Sequence, residues 1–151
     1  MKVPFVSFLP MEHELNDDIH QAFERVFDSS WYIEGKEDEQ FETAFAKYLN
    51  INYCIGCGTG LDALMLSLKA LGIKEGDEVL VPSNTFIATA LAVTYSGAKP
   101  VFVEPDINTF NINPNEIENK ITSHTKAIII VHLYGQPCDM DPILEIVQKY
   151  H

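Results

Sequence analysis

The stretch Gly56-Cys57-Gly58-Thr59-Gly60-Leu61-Asp62, GCGTGLD, lies between a short apolar run and a strongly patterned helix. Three glycines within five residues are costly to order, because glycine loses more backbone freedom on folding than any other residue. Glycines at a strand-to-helix junction let backbone N–H groups approach an anion, which the helix dipole also favours. A tight turn by itself needs only about one or two glycines. The pattern therefore favours a bound phosphate, with Thr59 as a hydroxyl donor.

The residues before and directly after this turn predict helices and one short strand. Apolar residues at helical spacing predict a helix over about residues 13–28, and a second helix begins at the acidic residues 37–39, where the helix dipole favours negative charge. The short strand YCIG (53–56) leads into the turn. The helix that follows carries an apolar stripe from Leu61 to Leu71, and Gly72 ends it.

Further along the chain, apolar strands alternate with helices. The expected strands are DEVLVP (77–82), PVFVEP (100–105) and KAIIIVHLYG (126–135), and the expected helices cover 85–97 and begin at Asn113-Pro114 and Asp141-Pro142. Strands that are apolar throughout and separated by helices indicate a parallel sheet covered on both faces. We therefore predict an α/β fold, with an N-terminal helical segment over 1–50 and an α/β domain over 51–151. The last helix ends without a cap where another strand would follow, so we expect this domain to be incomplete at its C-terminus.

Composition and charge exclude several classes of protein. With 151 residues and 46% hydrophobic content, the chain is long enough for one sizeable domain. No apolar run approaches the length of a membrane-spanning helix, and the N-terminus is a poor signal peptide. The formal net charge of −12 disfavours nonspecific nucleic-acid binding, which needs clustered Lys and Arg. A cytoplasmic protein that binds neither membranes nor nucleic acids is the expectation.

Three cysteines, Cys54, Cys57 and Cys138, are present, and the spacing of the first two suggests zinc or redox chemistry. A structural zinc site needs four ligands, and no second Cys or His pair has suitable spacing, so we predict no metal. A redox role for Cys57 is favoured only by its place near a helix N-terminus, which lowers the pKa of a thiol. Cysteine as a small apolar residue is the preferred interpretation.

The glycine turn by itself leaves the phosphate compound open. Gly58-x-Gly60-x-x-Ala63 matches the dinucleotide fingerprint, which would indicate a nicotinamide-dependent oxidoreductase. Against it, the next strand ends in Pro and Ser instead of an acid, and two helices precede the first strand. The Walker pattern is absent. A noncatalytic, regulatory or structural module is a third alternative.

A second polar turn, Pro82-Ser83-Asn84-Thr85, ends the next strand, and Phe86 follows it. The ring of Phe86 is suited to stacking on a planar ligand held by the neighbouring phosphate turn. Taken alone, a phenylalanine at such a position more often belongs to the hydrophobic core.

These motifs together resemble the DegT/DnrJ/EryC1/StrS family of sugar-nucleotide aminotransferases, which are fold-type-I enzymes that use pyridoxal 5′-phosphate (PLP). The resemblance is carried by residues 56–106, by FNINPNEIENKITSHTKAIIIVHLYGQPCDMD (110–141) and by SSWYIEGKEDEQFE (29–42), so it covers nearly the whole chain. It implies that the chain is the N-terminal part of the large domain of such an enzyme. The anion at the glycine turn would then be the phosphate of PLP.

The resemblance also implies roles for individual residues. Gly58 and Thr59 would donate to the PLP phosphate, and Phe86 would stack on the pyridine ring. His132, in the HLYGQ turn, would lie close to the active site, although a histidine considered alone is more often buried and satisfied. Tyr32 would border the substrate across a dimer interface.

The sequence departs from the family pattern at the reactive centre. The acid that pairs with the pyridine nitrogen and the Schiff-base lysine belong to family motifs that are absent here, and none of the nine lysines lies in the lysine motif. These are Lys2, Lys36, Lys47, Lys69, Lys74, Lys99, Lys120, Lys126 and Lys149. We therefore predict no catalytic residue in this chain and no activity of the chain alone.

The implied reaction of the complete protein is transfer of an amino group, with glutamate as the expected donor, to a nucleotide-linked keto-deoxysugar. The motifs GLDAL and VEPD most resemble members that aminate C3 of a dTDP-3-keto-6-deoxyhexose. The family also contains C4 aminotransferases, and dehydratases in which histidine replaces the lysine. A homodimer and a role in amino-sugar synthesis for lipopolysaccharide O-antigen-type glycans are further expectations.

Overall fold

A computed structural model describes residues 3–150 of the chain. Met1, Lys2 and His151 lie outside the described residues. The predictions that depend on them are the outer ends of the two domains and the exclusion of Lys2 as the reactive lysine. The helices within residues 3–150 are α1 Leu9–Ser29, α2 Lys36–Leu49, α3 Gly60–Ala70, α4 Ala88–Tyr95, α5 Pro114–Ile117 and α6 Met140–Tyr150. The strands are β1 Glu78–Pro82, β2 Lys99–Val103 and β3 Thr125–Ile128, and two 3-10 turns cover Glu118–Lys120 and Leu133–Gly135.

The three strands form one parallel sheet in the order β2-β1-β3. Glu78, the first residue of β1, is aligned with Lys99 on one side and with Thr125 on the other. The polypeptide therefore passes from the central strand to one neighbour and then across to the other. The predicted parallel sheet is confirmed.

Helices cover both faces of this sheet. Successive residues of β1 point to opposite faces, so they pack into two separate core clusters. One core cluster joins β1 to α3 and α4, and its members are Leu68, Ile73, Val79, Val81, Ala92, Val93 and Ala98. The other joins β1 and β2 to α5 and α6, and its members are Leu80, Val103, Ile112, Ile117, Cys138 and Ile143. The predicted fold class, an α/β sheet covered by helices, is confirmed.

Helix α3 begins and ends where the sequence predicts. Thr59 is its N-cap, and the side chain accepts a hydrogen bond from the backbone N–H of Asp62. Gly72, just beyond the helix, has a φ of +80°, which glycine adopts at little cost. The stripe from Leu61 to Leu68 packs on the sheet, whereas Leu71 is exposed.

Three predicted elements differ from the structure. Residues 53–56 form no strand, because a strand needs a hydrogen-bonded neighbour and none of the three strands pairs with them. β3 ends at Ile128 instead of residue 135, although the N–H of Ile129 still donates to the carbonyl of Leu80. The helix capped by Asn113 is a single turn that continues as a 3-10 turn.

The chain divides into two compact units between Gly56 and Cys57. In the first unit, the guanidinium of Arg25 on α1 donates to both carboxylate oxygens of Glu37 on α2, at 2.7 and 3.1 Å. The apolar faces of both helices are largely exposed, and α1 contains no buried residue. Within residues 3–150, no helix combines the length and the apolar character needed to cross a membrane.

Candidate functional site

The carboxyl ends of β1 and β3 form the natural ligand crevice of the second unit. The connection after β1 leads to α4, which packs on one face of the sheet, and the connection after β3 leads to α6, which packs on the other. Adjacent parallel strands whose connections leave on opposite faces open a crevice between their carboxyl ends, where ligands of α/β proteins bind. The Ser83–Phe86 turn and the His132 turn both follow these strand ends.

A left-handed backbone does not explain the three glycines of the GCGTGLD turn, because none of them has a φ in the left-handed region. Each is instead distinguished by what a Cβ would meet. At Gly58 a Cβ would lie 3.3 Å from Oδ2 of Asp62, and at Gly56 it would lie 3.2 Å from Oε1 of Glu42. At Gly60 a Cβ would meet nothing within 4 Å. Close approach therefore explains Gly56 and Gly58, while Gly60 leaves an open space at the start of α3.

Backbone donors at this turn fit an anion. Within residues 3–150, no backbone acceptor pairs with the N–H groups of Gly60 and Leu61, the first two of α3, and the helix dipole adds positive character there. The first residue of the turn already binds a carboxylate through its backbone. The N–H of Gly56 donates to Oε1 of Glu42 at 2.6 Å, within the first unit. The turn thus fits a phosphate group.

The hydroxyl of Thr59 is already engaged. Its proton is donated to Oδ2 of Asp62 at 2.8 Å, and its oxygen accepts the N–H of Asp62 at 3.1 Å. The predicted role of Thr59 as a hydroxyl donor competes with this contact. In the present arrangement a phosphate at this turn would have only backbone donors available, with the Asp62 carboxylate beside them.

Phe86 is exposed, with 79% of its surface accessible. The alternative that placed Phe86 in the core is therefore wrong. Its carbonyl accepts the N–H of Thr89, so the residue directly precedes the first turn of α4. An exposed aromatic ring at the carboxyl end of the central strand is available to a planar ligand.

His132 lies in the turn after β3 and is exposed, which contradicts the alternative that His132 is a buried histidine. Its Nδ1 accepts the backbone N–H of Cys138 at 3.0 Å. An imidazole that accepts at Nδ1 is neutral and carries its proton on Nε2. His132 therefore presents an Nε2–H donor. Burial raises the pKa of the Cys138 thiol, which donates to the carbonyl of Val131.

A polar bridge that the sequence did not reveal connects the two turns. The amide of Asn84 donates to the carbonyl of Phe110 at 2.9 Å. The next residue, Asn111, is 3% exposed, and its side-chain oxygen accepts the N–H of Leu133 at 3.0 Å. The Asn111 amide nitrogen also donates to the carbonyls of Gln136 and Pro137.

No lysine of the second unit is near these strand ends. Lys99 and Lys126 stand at the beginnings of β2 and β3, and Lys149 pairs with Glu118, just before β3, at 2.7 Å. The remaining three, Lys69, Lys74 and Lys120, end α3 or precede β1 and β3. The only arginine of the sequence is Arg25, in the first unit. Within the described part of the second unit, lysine and arginine thus supply no positive charge at these strand ends, and backbone dipoles are left to attract an anion.

Tyr32 and Cys54 belong to the first unit, whereas Gly58, Thr59, Phe86 and His132 belong to the second. Tyr32 is exposed. The three cysteines are free thiols, and Cys57 donates to the carbonyl of Thr59. Among residues 3–150, no cluster of His, Cys, Asp or Glu side chains is arranged to hold a metal ion.

Comparison with known proteins gives one consistent result. The sequence profile of the DegT/DnrJ/EryC1/StrS aminotransferase family matches residues 13–151. The dTDP-3-amino-3,6-dideoxy-alpha-D-galactopyranose transaminase of Aneurinibacillus thermoaerophilus is 54% identical over 149 residues, which cover 99% of this chain and 41% of that protein.

Two crystal structures show the same relationship. DesV of S. venezuelae superposes with a TM-score of 0.93 at 44% identity, covering 99% of this chain and 40% of DesV. NtdA of Bacillus subtilis, solved with bound cofactor PMP, superposes with a TM-score of 0.88 at 39% identity, covering 99% of this chain and 35% of NtdA. The chain thus spans between 35% and 41% of the length of these relatives.

Proposed function

This chain belongs to the DegT/DnrJ/EryC1/StrS aminotransferase family, and from this membership we propose that it forms the phosphate-binding part of a PLP site in a sugar-nucleotide aminotransferase. The observation that carries the proposal is the glycine turn, where, within residues 3–150, the N–H groups of Gly60 and Leu61 have no backbone acceptor and a Cβ at Gly60 would meet nothing within 4 Å. The dinucleotide alternative is disfavoured because that fingerprint requires a strand before the turn, and residues 53–56 form none.

The residues of the second unit divide the work of holding PLP. The backbone of Gly58 and Thr59, with the first N–H groups of α3, binds the phosphate. Phe86 lies against the pyridine ring, and its exposed ring requires little rearrangement to do so. When bound, PLP supplies the electron sink for transamination.

The reactive amine is proposed to lie outside the second unit. Transamination on PLP needs a lysine beside the cofactor, and none of the six lysines of this unit lies in the turns after β1 and β3 that carry Phe86 and His132. We therefore keep the proposal that these 151 residues have no transaminase activity alone. The acid that pairs with the pyridine nitrogen is proposed to lie outside them too.

The proposed reaction of the whole protein is amination of a nucleotide-linked keto-deoxysugar at C3, with glutamate as donor. The Aneurinibacillus relative, named for a dTDP-3-amino sugar, supports this choice. His132 and Tyr32 are proposed to contact the substrate, and Tyr32 does so across a homodimer interface. A cytoplasmic location, a role in lipopolysaccharide amino sugars, and a division into residues 1–50 and 51–151 complete the proposal.

The test measures ligand-induced thermal shifts of the protein that carries this chain. PLP, pyridoxal without its phosphate, and NAD are added separately, and inorganic phosphate serves as a competitor. A phosphate cradle predicts a large shift with PLP, a small shift with pyridoxal, and reduction of the PLP shift by phosphate. Equal shifts with PLP and pyridoxal would remove the role of the glycine turn. A shift with NAD alone would restore the oxidoreductase alternative.

A further inference from the structure

The turn from His132 to Cys138, which we term the β3 turn, has an unusual backbone. Tyr134 has a φ of +57° and Gly135 a φ of +82°, so two consecutive residues are left-handed. Glycine adopts this conformation freely, but for tyrosine it is strained and persists only when its surroundings enforce it. Tyr134 itself is exposed, so packing of its own ring does not enforce the conformation.

The side chain of Asn111 supplies the constraint. It spans the β3 turn with three hydrogen bonds, from its oxygen to the N–H of Leu133 at 3.0 Å and from its nitrogen to the carbonyls of Gln136 at 3.0 Å and Pro137 at 3.1 Å. Both side-chain N–H groups and the carbonyl oxygen are thus used. Because Asn111 is almost fully buried, these bonds do not compete with water.

The backbone of Asn111 is itself held in place from the other side of the crevice. Its carbonyl accepts the N–H of Asp106 at 2.8 Å, and the preceding carbonyl, that of Phe110, accepts the side-chain amide of Asn84. Asn84 lies two residues before Phe86 in the turn after β1. A continuous set of hydrogen bonds therefore connects the proposed cofactor-stacking turn to the β3 turn.

We propose that Asn111 is a positioning residue that sets the β3 turn, and with it the Nε2–H donor of His132, for a nucleoside-diphosphate-linked sugar. This rests on the proposed function. Asn111 touches neither cofactor nor substrate; it acts through Leu133, Gln136 and Pro137. The Cys138 N–H that fixes the tautomer of His132 directly follows Pro137, so displacement of the turn also changes which nitrogen of His132 carries the proton.

The test is Asn111→Asp in the complete protein. Aspartate has the same shape and still accepts from Leu133, but its carboxylate places a second oxygen against two carbonyls. The expected result is a loss of about tenfold to hundredfold in kcat/KM for the nucleotide sugar, the size expected when a positioning group moves by about 1 Å. The Kd for PLP stays within about twofold, because the phosphate turn is not touched.

Two matched variants separate positioning from packing. Asn113→Asp makes the same chemical change two residues along, where the side chain only accepts the N–H of Asn115 and aspartate caps equally well, so it leaves the kinetics unchanged. Ile112→Val removes one methylene from the same buried segment. If Asn111→Asp lowers kcat/KM no more than Ile112→Val does at an equal loss of Tm, Asn111 only packs and the proposal is overturned.

A second measurement does not depend on activity. The 15N spectrum of the His132 ring shows a proton on Nε2 in the wild type, and Asn111→Asp shifts the signals or mixes the tautomers; an unchanged ring spectrum overturns the proposal. If Asn111→Asp does not fold, Asn111→Ser, whose single hydroxyl cannot replace all three hydrogen bonds of the amide, decides by the same spectrum. A wild type that neither binds PLP nor transaminates contradicts the proposed function, while the ring spectrum still tests the positioning role.

Discussion

The hydroxyl of Thr59 donates to Oδ2 of Asp62 over 2.8 Å, and the N–H of Asp62 donates back to the Thr59 oxygen over 3.1 Å. This reciprocal pair caps α3 and orders the turn. It also places a carboxylate next to Gly58, at the position where the proposed phosphate would bind. The same aspartate thus shapes the cradle and opposes the charge of its ligand.

Asp62→Asn is expected to tighten PLP binding. The amide oxygen of asparagine still accepts from Thr59, whereas the negative charge is removed. Two like charges about 4 Å apart repel by about 1 kcal/mol in water, so the Kd for PLP falls about fivefold at low salt. The gain shrinks as salt screens the charges. Fluorescence titration with PLP at two salt concentrations measures it; an unchanged Kd at both would place the phosphate elsewhere.

Gly60→Ala and Gly58→Val test how closely the ligand approaches the backbone. An alanine Cβ at Gly60 meets no atom of the protein within 4 Å, so the free energy of unfolding is maintained or increases. PLP affinity should nevertheless fall, because the ligand occupies that space.

Gly58→Val should weaken PLP binding by about 1–3 kcal/mol, the cost of a lost charged hydrogen bond.

The comparison of denaturation and titration decides between these effects. A Gly60→Ala protein with normal stability and normal PLP affinity would show that no ligand approaches α3 at this residue. Loss of both properties together would indicate a folding defect only.

Phe86→Ala is expected to change PLP binding and leave the fold intact. Truncation of a buried phenylalanine costs about 3–5 kcal/mol, whereas truncation of an exposed side chain changes stability by about 0.5 kcal/mol or less. Since Phe86 is exposed, the second case applies. In the Phe86→Ala protein we expect the absorbance of bound PLP to shift and the Kd for PLP to rise relative to the wild type. Phe102→Ala, a half-exposed phenylalanine on β2, is the matched control and leaves the absorbance unchanged.

The order of helices and strands could be predicted from periodicity and turn residues, because those signals are local. The strand expected at 53–56 was wrong because pairing depends on a neighbour that the local pattern cannot reveal. Asn111 was missed for a similar reason. Nothing in NTFNINPN distinguishes it from Asn108, Asn113 or Asn115, because its hydrogen-bond partners lie 22 to 26 residues further along. The roles of Gly58, Thr59, Phe86, His132 and Tyr32 stay predictions.

Asp106 is expected to make the loop before Asn111 sensitive to acid. Its Oδ1 accepts the backbone N–H groups of Asn108 and Thr109, and these bonds lower the pKa of the carboxyl. A carboxyl with a lowered pKa in the folded state stabilises the fold above its unfolded pKa, about 3.9, and loses this contribution as pH falls through the lowered value. Asp106→Asn retains a side-chain oxygen that can accept the same N–H groups. Its free energy of unfolding should fall less between pH 5 and pH 2 than that of the wild type, as urea titrations at each pH would measure. Parallel curves for both proteins would contradict the role of Asp106.

The last prediction is that the 151-residue chain acquires no specific covalent PLP. A lysine reacts specifically when its amine is held beside the bound aldehyde, and no lysine of the second unit follows a strand at the carboxyl edge where Phe86 lies. Pairing with Glu118 moreover raises the pKa of Lys149, which keeps that amine protonated. Incubation with PLP, reduction with borohydride and peptide mapping measure the result. We expect scattered, substoichiometric labelling of exposed lysines, and phosphate should not reduce it. One stoichiometric pyridoxyl-lysine, lost on Gly58→Val, would show that the reactive amine is in this chain and would overturn the proposal that places it elsewhere.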